Sequence, residues 1–160
     1  MIHEVPEQGR RFDLAADDNA RTALAKTIGL RALSRLQASF EVTRHGREGL
    51  RVVGQVSATV GQTCVVTLEP IDNEIEESVD LVFMPQVGTS ADRGAKVAAE
   101  NAPEPLVGGA VDLGVVATEF LTLGIDPYPR KSDAVFTAPA SEDDSGHPFA
   151  ALAALKKSPS

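Results

Sequence analysis

Leu36, Gln37, Ala38, Ser39, Phe40, Glu41, Val42 and Thr43 alternate apolar and polar without a break. A period of two puts Leu36, Ala38, Phe40 and Val42 on one face of an extended chain and Arg35, Gln37, Ser39, Glu41 and Thr43 on the other, as in a half-buried strand. His45, Gly46, Arg47, Glu48 and Gly49 follow as a turn of hairpin length. The alternation then resumes, with Leu50, Val52, Val56, Ala58 and Val60 set against Arg51, Gln55, Ser57 and Thr59. Val53 and Gly54 disturb it, and the glycine marks a bulge or a close backbone approach. Beyond Gly61 comes a third run, Cys64, Val66 and Leu68. After Glu69 and Pro70 a fourth places Ile71, Ile75, Val79, Leu81 and Phe83 opposite Glu74, Glu76, Ser78 and Asp80. Four strands joined by connections this short form an antiparallel meander.

Upstream, Arg10 through Leu14 read as a short first strand. Asp17 or Asp18 caps a helix carrying Ala20, Leu24, Ala25 and Ile28, with Gly29 placed to stop it. Downstream, residues 86–109 lose all periodicity and are punctuated by Gly88, Gly94, Pro103, Pro105, Gly108 and Gly109, which predicts a flexible loop. Asp112 then caps a second helix that presents Leu113, Val116, Ala117, Phe120 and Leu121 on one side and ends at Gly124. The expected fold is α+β: an antiparallel β-meander of four to five strands with helices packed on one face. A single domain is expected over residues 1–136, with a polar linker and short C-terminal helix over residues 137–160.

In that final segment Pro148 suits a first helical position, and Lys156 and Lys157 fall in the last turn, where the helix dipole favours cations. Phe149, Leu152 and Leu155 recur every third residue on an alanine background, so a helix over residues 148–157 is apolar on one side. Ten or so residues do not hold a helix alone in water, so the segment must dock, on its own domain or on a partner. The acidic stretch before it is long enough to reach away from the core, and Phe149, Leu152 and Leu155 are the candidate partner-binding residues.

The net charge is −8. It is spread unevenly: residues 1–51 hold nine basic and seven acidic groups, residues 52–125 two basic and eleven acidic. An acidic protein does not grip nucleic acid by bulk electrostatics, so no DNA partner is expected. No stretch approaches the length of a membrane span, and the N-terminus lacks the basic start and apolar run of a secretion signal. A cytoplasmic protein with no membrane partner is the expectation.

Three stretches carry a family resemblance. One is the Pro148, Phe149, Ala150, Leu152, Leu155, Lys156 ending; another runs from Gln62 through Cys64, Thr67, Leu68, Glu69 and Pro70 to Val82, Phe83, Met84 and Pro85. The third runs from Val111, Asp112 and Leu113 through Glu119, Leu121 and Leu123 to Pro127 and Pro129. Together they resemble the YceD family, bacterial proteins required for accumulation of large-subunit (23S) ribosomal RNA. The resemblance implies a role in ribosome biogenesis, with a ribosome-biogenesis or RNA-processing protein as partner. The chain departs from the family at one point. Many relatives read Cys-x-x-Cys-Leu where this chain has Cys64 and then Thr67, and Cys64 is its only cysteine. Tetrahedral zinc takes about four nitrogen or sulfur ligands, and Cys64 with the scattered His3, His45 and His147 is a poor set. Cys64 reads instead as a small buried apolar residue, and no metal or cofactor is expected.

No nucleophile with a base, paired acid and base, or phosphate-cradling glycine loop assembles from the sequence, so the chain is not expected to be an enzyme. Arg35, Arg44, Arg47 and Arg51 are expected to lie together around the hairpin tip, as candidate RNA contacts. The residues favour an adaptor that promotes 23S ribosomal RNA accumulation through protein contacts, with at most a weak contact to ribosomal RNA. The alternatives are a weak direct RNA-binding module acting on precursor ribosomal RNA, and an unrelated protein-interaction domain.

Overall fold

In the computed structural model, residues 5–85 and 103–137 are described. The elements run β1 (Arg10–Ala15), α1 (Asp18–Ile28), β2 (Ala32–His45), β3 (Gly49–Thr63), β4 (Pro70–Met84), β5 (Glu104–Pro105) and α2 (Leu113–Gly124). The strands form one sheet in the order β1-β2-β3-β4-β5. The first four are antiparallel neighbours, and of their pairings the alternation predicts that of β2 with β3.

The sheet departs from the sequence reading in three ways. It is mixed rather than wholly antiparallel, because β5 pairs parallel with β4 through Phe83 and Met84. Cys64–Leu68 is not a strand. β3 continues through Gly61 to Thr63, and residues 65–67 form a turn leading to Leu68, which takes a left-handed φ of 60°. Part of the stretch expected to be loop is ordered, since Leu106 is buried and its N–H donates to the Met84 carbonyl at 2.8 Å. Residues 86–102, and the terminal helix expected over residues 148–157, lie outside the described residues.

One side of the sheet is apolar and buried. Leu36, Ala38, Phe40 and Val42 of β2 lie across from Ala58, Val56, Gly54 and Val52 of β3. Ile75 and Val79 of β4 continue the layer. Leu33 and Leu36 are three positions apart and would face opposite ways on a regular strand. A bulge between Leu33 and Arg35 rephases β2, and both leucines are buried. The buried cluster also takes in Ala25 of α1 and Val116, Ala117 and Leu121 of α2. Each helix begins where the sequence predicts: Asp17 accepts from the Ala20 N–H at 2.8 Å, and Asp112 from Gly114 and Val115 at 2.9 and 3.2 Å. Gly29 closes α1 with a φ of 75°.

Gly54 marks a close approach, not a bulge. It faces Phe40 across the ladder, and a Cβ there would stand 2.1 Å from the Ser39 carbonyl oxygen and 2.7 Å from Phe40 Cδ1. The missing side chain is what lets the ring, only 1% exposed, lie over β3. Gly54→Ala should therefore destabilise the protein by about 1–3 kcal/mol through overpacking. Leu121→Ala, which opens a cavity under α2, should cost about 2–5 kcal/mol. Urea titration measures both, and an unchanged midpoint for Gly54→Ala would contradict this packing.

Candidate functional site

The second side of the sheet is polar and faces solvent. Arg11, Asp13, Arg35, Gln37, Ser39, Glu41, Arg51, Gln55, Glu74, Glu76 and Asp80 occupy its outward register positions. The expected arginine patch is dispersed across this fold. Arg35 lies opposite Thr59 and Arg51 opposite Thr43. Eight strand positions separate the two rows, about 27 Å. Only Arg44, Arg47 and Arg51 gather near the hairpin end.

Each arginine on the open face already has an anion. Arg35 Nη2 donates to Glu74 Oε2 at 2.6 Å, with Nη1 and Nε on the Ser57 and Thr59 hydroxyls at 3.1 and 3.3 Å. Arg51 forks onto both carboxylate oxygens of Asp80 at 2.9 and 2.7 Å. Arg11 donates to Asp13 at 3.2 Å. The hydrogen bond from the Thr59 hydroxyl, then that from Arg35, holds the Glu74 carboxyl below its usual range. Arg51 does the same to Asp80. Arg44 sits at the strand end, where its Nε donates to the Val5 carbonyl at 2.8 Å. Arg47 lies in the turn and forms no ion pair among the described residues. A shallow, open depression of about 400 Å³ lies on this face among Asp13, Gln37, Ser39, Gln55 and Ser57. Its residues include no histidine, lysine or cysteine to activate a serine.

A more elaborate arrangement closes the far end of β3. Gln62 and Asn73 occupy inward positions where the alternation calls for apolar residues. The Asn73 amide donates to Gln62 Oε1 at 2.8 Å, and Gln62 Nε2 donates to the Asp126 carbonyl at 2.8 Å. Beside them the Val65 N–H donates to the Pro129 carbonyl at 2.9 Å, and Lys131 Nζ reaches Glu69 at 2.5 Å. The chain leaving α2 is thereby stitched to the β3–β4 turn. Cys64 is at the centre and fully buried, as expected. Its sulfur also accepts, from the backbone N–H groups of Thr67 at 3.4 Å and Lys131 at 3.5 Å. These contacts, led by the Thr67 side chain and then the Lys131 N–H, lower the thiol to about 6 while burial opposes them.

Sequence reasoning missed Gln62, Asn73 and Lys131. The signal for the first two was two amides at inward positions of adjacent strands; Lys131 gave none, because its partners come from a distant turn. Among the described residues no group of three or more His, Cys, Asp and Glu is placed to hold a metal ion. His45 ends β2 at the hairpin while Cys64 follows the opposite end of β3, roughly 45 Å away along the strand. His3 and His147 lie outside the described residues.

The thiol gives a pH test. Its folded pKa of about 6 lies below the ordinary value of 9.0, so between those values the unfolded chain binds more protons and raising the pH favours the folded state. The melting temperature of the native chain should rise from pH 6 to pH 9 relative to that of Cys64→Ala. Parallel curves would show that the buried sulfur does not ionise.

Residues 52–156 match the family model described as Large ribosomal RNA subunit accumulation protein YceD. No curated protein and no solved structure gives a significant match. The matched region takes in nearly all of β3, then β4, α2 and the stitched end of the sheet with Cys64. Among the described residues no helix is long and apolar enough to cross a membrane. With the match spanning well over half its length, the chain belongs to the YceD family of large ribosomal RNA subunit accumulation proteins.

Proposed function

We propose that the protein promotes 23S ribosomal RNA accumulation in the bacterial cytoplasm as a non-enzymatic adaptor, acting through contacts with a ribosome-biogenesis or RNA-processing protein. Family membership supplies the process. The observation that favours protein contacts over RNA contacts is the state of the open sheet face. Its three arginines are all engaged by carboxylates, and Glu41 and Glu76 remain without a cationic partner among the described residues. Phosphate neutralisation depends on available cations. Phe12, Phe40 and Phe83 all occupy the apolar register of the sheet, so among the described residues its strands offer no aromatic platform for stacking bases on the open face.

The other half of the proposal rests on sequence. Phe149, Leu152 and Leu155 supply an apolar helical face that has to be covered, and in this reading the partner covers it. Burial contributes roughly 1.5–3 kcal/mol for each such side chain before ordering costs.

Complementation of a bacterial strain lacking its own copy tests the reading. The variant with Arg35, Arg44, Arg47 and Arg51 all changed to alanine should restore 23S ribosomal RNA, because exposed ion pairs contribute only about 0–1 kcal/mol each to stability. Deletion of residues 141–160 should leave the melting temperature nearly unchanged and abolish complementation. A folded arginine variant that fails, together with a truncated chain that complements, would favour direct RNA binding instead.

A further inference from the structure

The least finished part of the fold is the outer edge of β4. The strand spans Pro70–Met84, and β5 covers only Phe83 and Met84 on its far side. Between Pro70 and Val82 no backbone or side-chain group of the described residues hydrogen-bonds to that edge; the nearest, the Leu106 N–H, meets Met84. Among the described residues about 40 Å of extended backbone therefore has no partner on this side, which is a template for another strand.

The charge on this edge is one-sided. Asp72, Glu74, Glu76, Glu77 and Asp80 fall within it, with no lysine or arginine. Arg35 and Arg51 engage Glu74 and Asp80 from neighbouring strands, while Asp72, Glu76 and Glu77 have no cationic partner among the described residues. Such charge keeps two copies from joining through this edge, because each would bring five carboxylates to the seam. The same charge favours a cationic strand. The two faces of the edge also differ. Asp72, Glu74, Glu76 and Asp80 line the open side, whereas Ile75 and Val79 lie on the other side with Glu77 between them, beside the end of α2, where Gly124 closely approaches both Ile75 and Glu77.

We propose that the outer edge of β4 accepts, as an added strand, an extended segment of a partner protein with lysine or arginine at alternate positions and apolar residues between them. Main-chain hydrogen bonds would supply affinity, and the acidic row would set the register and reject neutral or acidic strands. This inference rests on the adaptor reading for its partner being a protein, but its test does not involve ribosomal RNA. Failure here leaves the complementation result standing, and failure there leaves strand binding intact.

The probe is a peptide of about ten residues, matched to the open stretch, with lysine alternating with valine and threonine. It is titrated into the isotopically labelled full chain, with NMR reporting each backbone amide. Shifts should concentrate between Ile71 and Leu81. N-methylation of alternate peptide amides should weaken binding at least about tenfold, since it removes ladder donors. Changing Asp72 and Glu76 together to lysine, both exposed, should weaken it by a similar factor. No binding, shifts centred on β1, or equal binding of the N-methylated peptide would each overturn the proposal. So would displacement of the peptide from these amides by short single-stranded RNA, or self-association through this edge in sedimentation velocity.

Discussion

The burial of β3 between two long neighbours is the constraint on which the rest of the structure depends. Val52, Val56, Ala58 and Val60 are fully buried, and Phe40 reaches across the ladder to fill the space that Gly54 leaves. A layer this apolar has to be covered, and Leu121 of α2, itself fully buried, is part of the cover. The opposite side of the same strands carries Gln55, Ser57 and Thr59 and stays in water. A sheet that buries only one face and does not close into a barrel keeps two edges. One of them is the short β1; at the other, β5 covers only the end of β4.

The stitched end of β3 solves a second problem, the fixing of a chain that leaves α2 through a Pro127–Tyr128–Pro129 segment with little to bury. Pro129 cannot donate from its backbone, but its carbonyl accepts from Val65, while Gln62 holds the Asp126 carbonyl. Cys64 is used here as a hydrogen-bond acceptor. The Thr67 backbone N–H donates to the Cys64 sulfur at 3.4 Å, and that of Lys131 at 3.5 Å. The turn is thus tied to the chain after α2 through one sulfur and two backbone amides.

Much of this was legible in the sequence because it depends on local chemistry. Asp17, Asp112 and Gly29 act at the helix ends through side-chain oxygens and a left-handed φ, and the alternation around Phe40 and Val52 reports which face is buried. What the sequence hid depends on distant partners. Gly61 reads as a break, yet β3 runs through it because Ala32 and Asp72 pair with it on both sides. Glu104 and Pro105 show no strand pattern and are ordered only by the end of β4. The bulge at Ser34 leaves Leu33 out of phase by spacing alone. The arginines were legible as cations but not as paired cations, because Glu74 and Asp80 come from another strand.

Crosslinking inside growing cells separates protein contacts from RNA contacts most directly. Ultraviolet irradiation joins protein to RNA only at close contact, while affinity capture after nuclease digestion retains partners held by protein alone. An adaptor role predicts a defined protein partner that survives nuclease, with no crosslink between RNA and the open face of the sheet. RNA joined to peptides containing Arg35 or Arg51, together with loss of every partner on digestion, would contradict it.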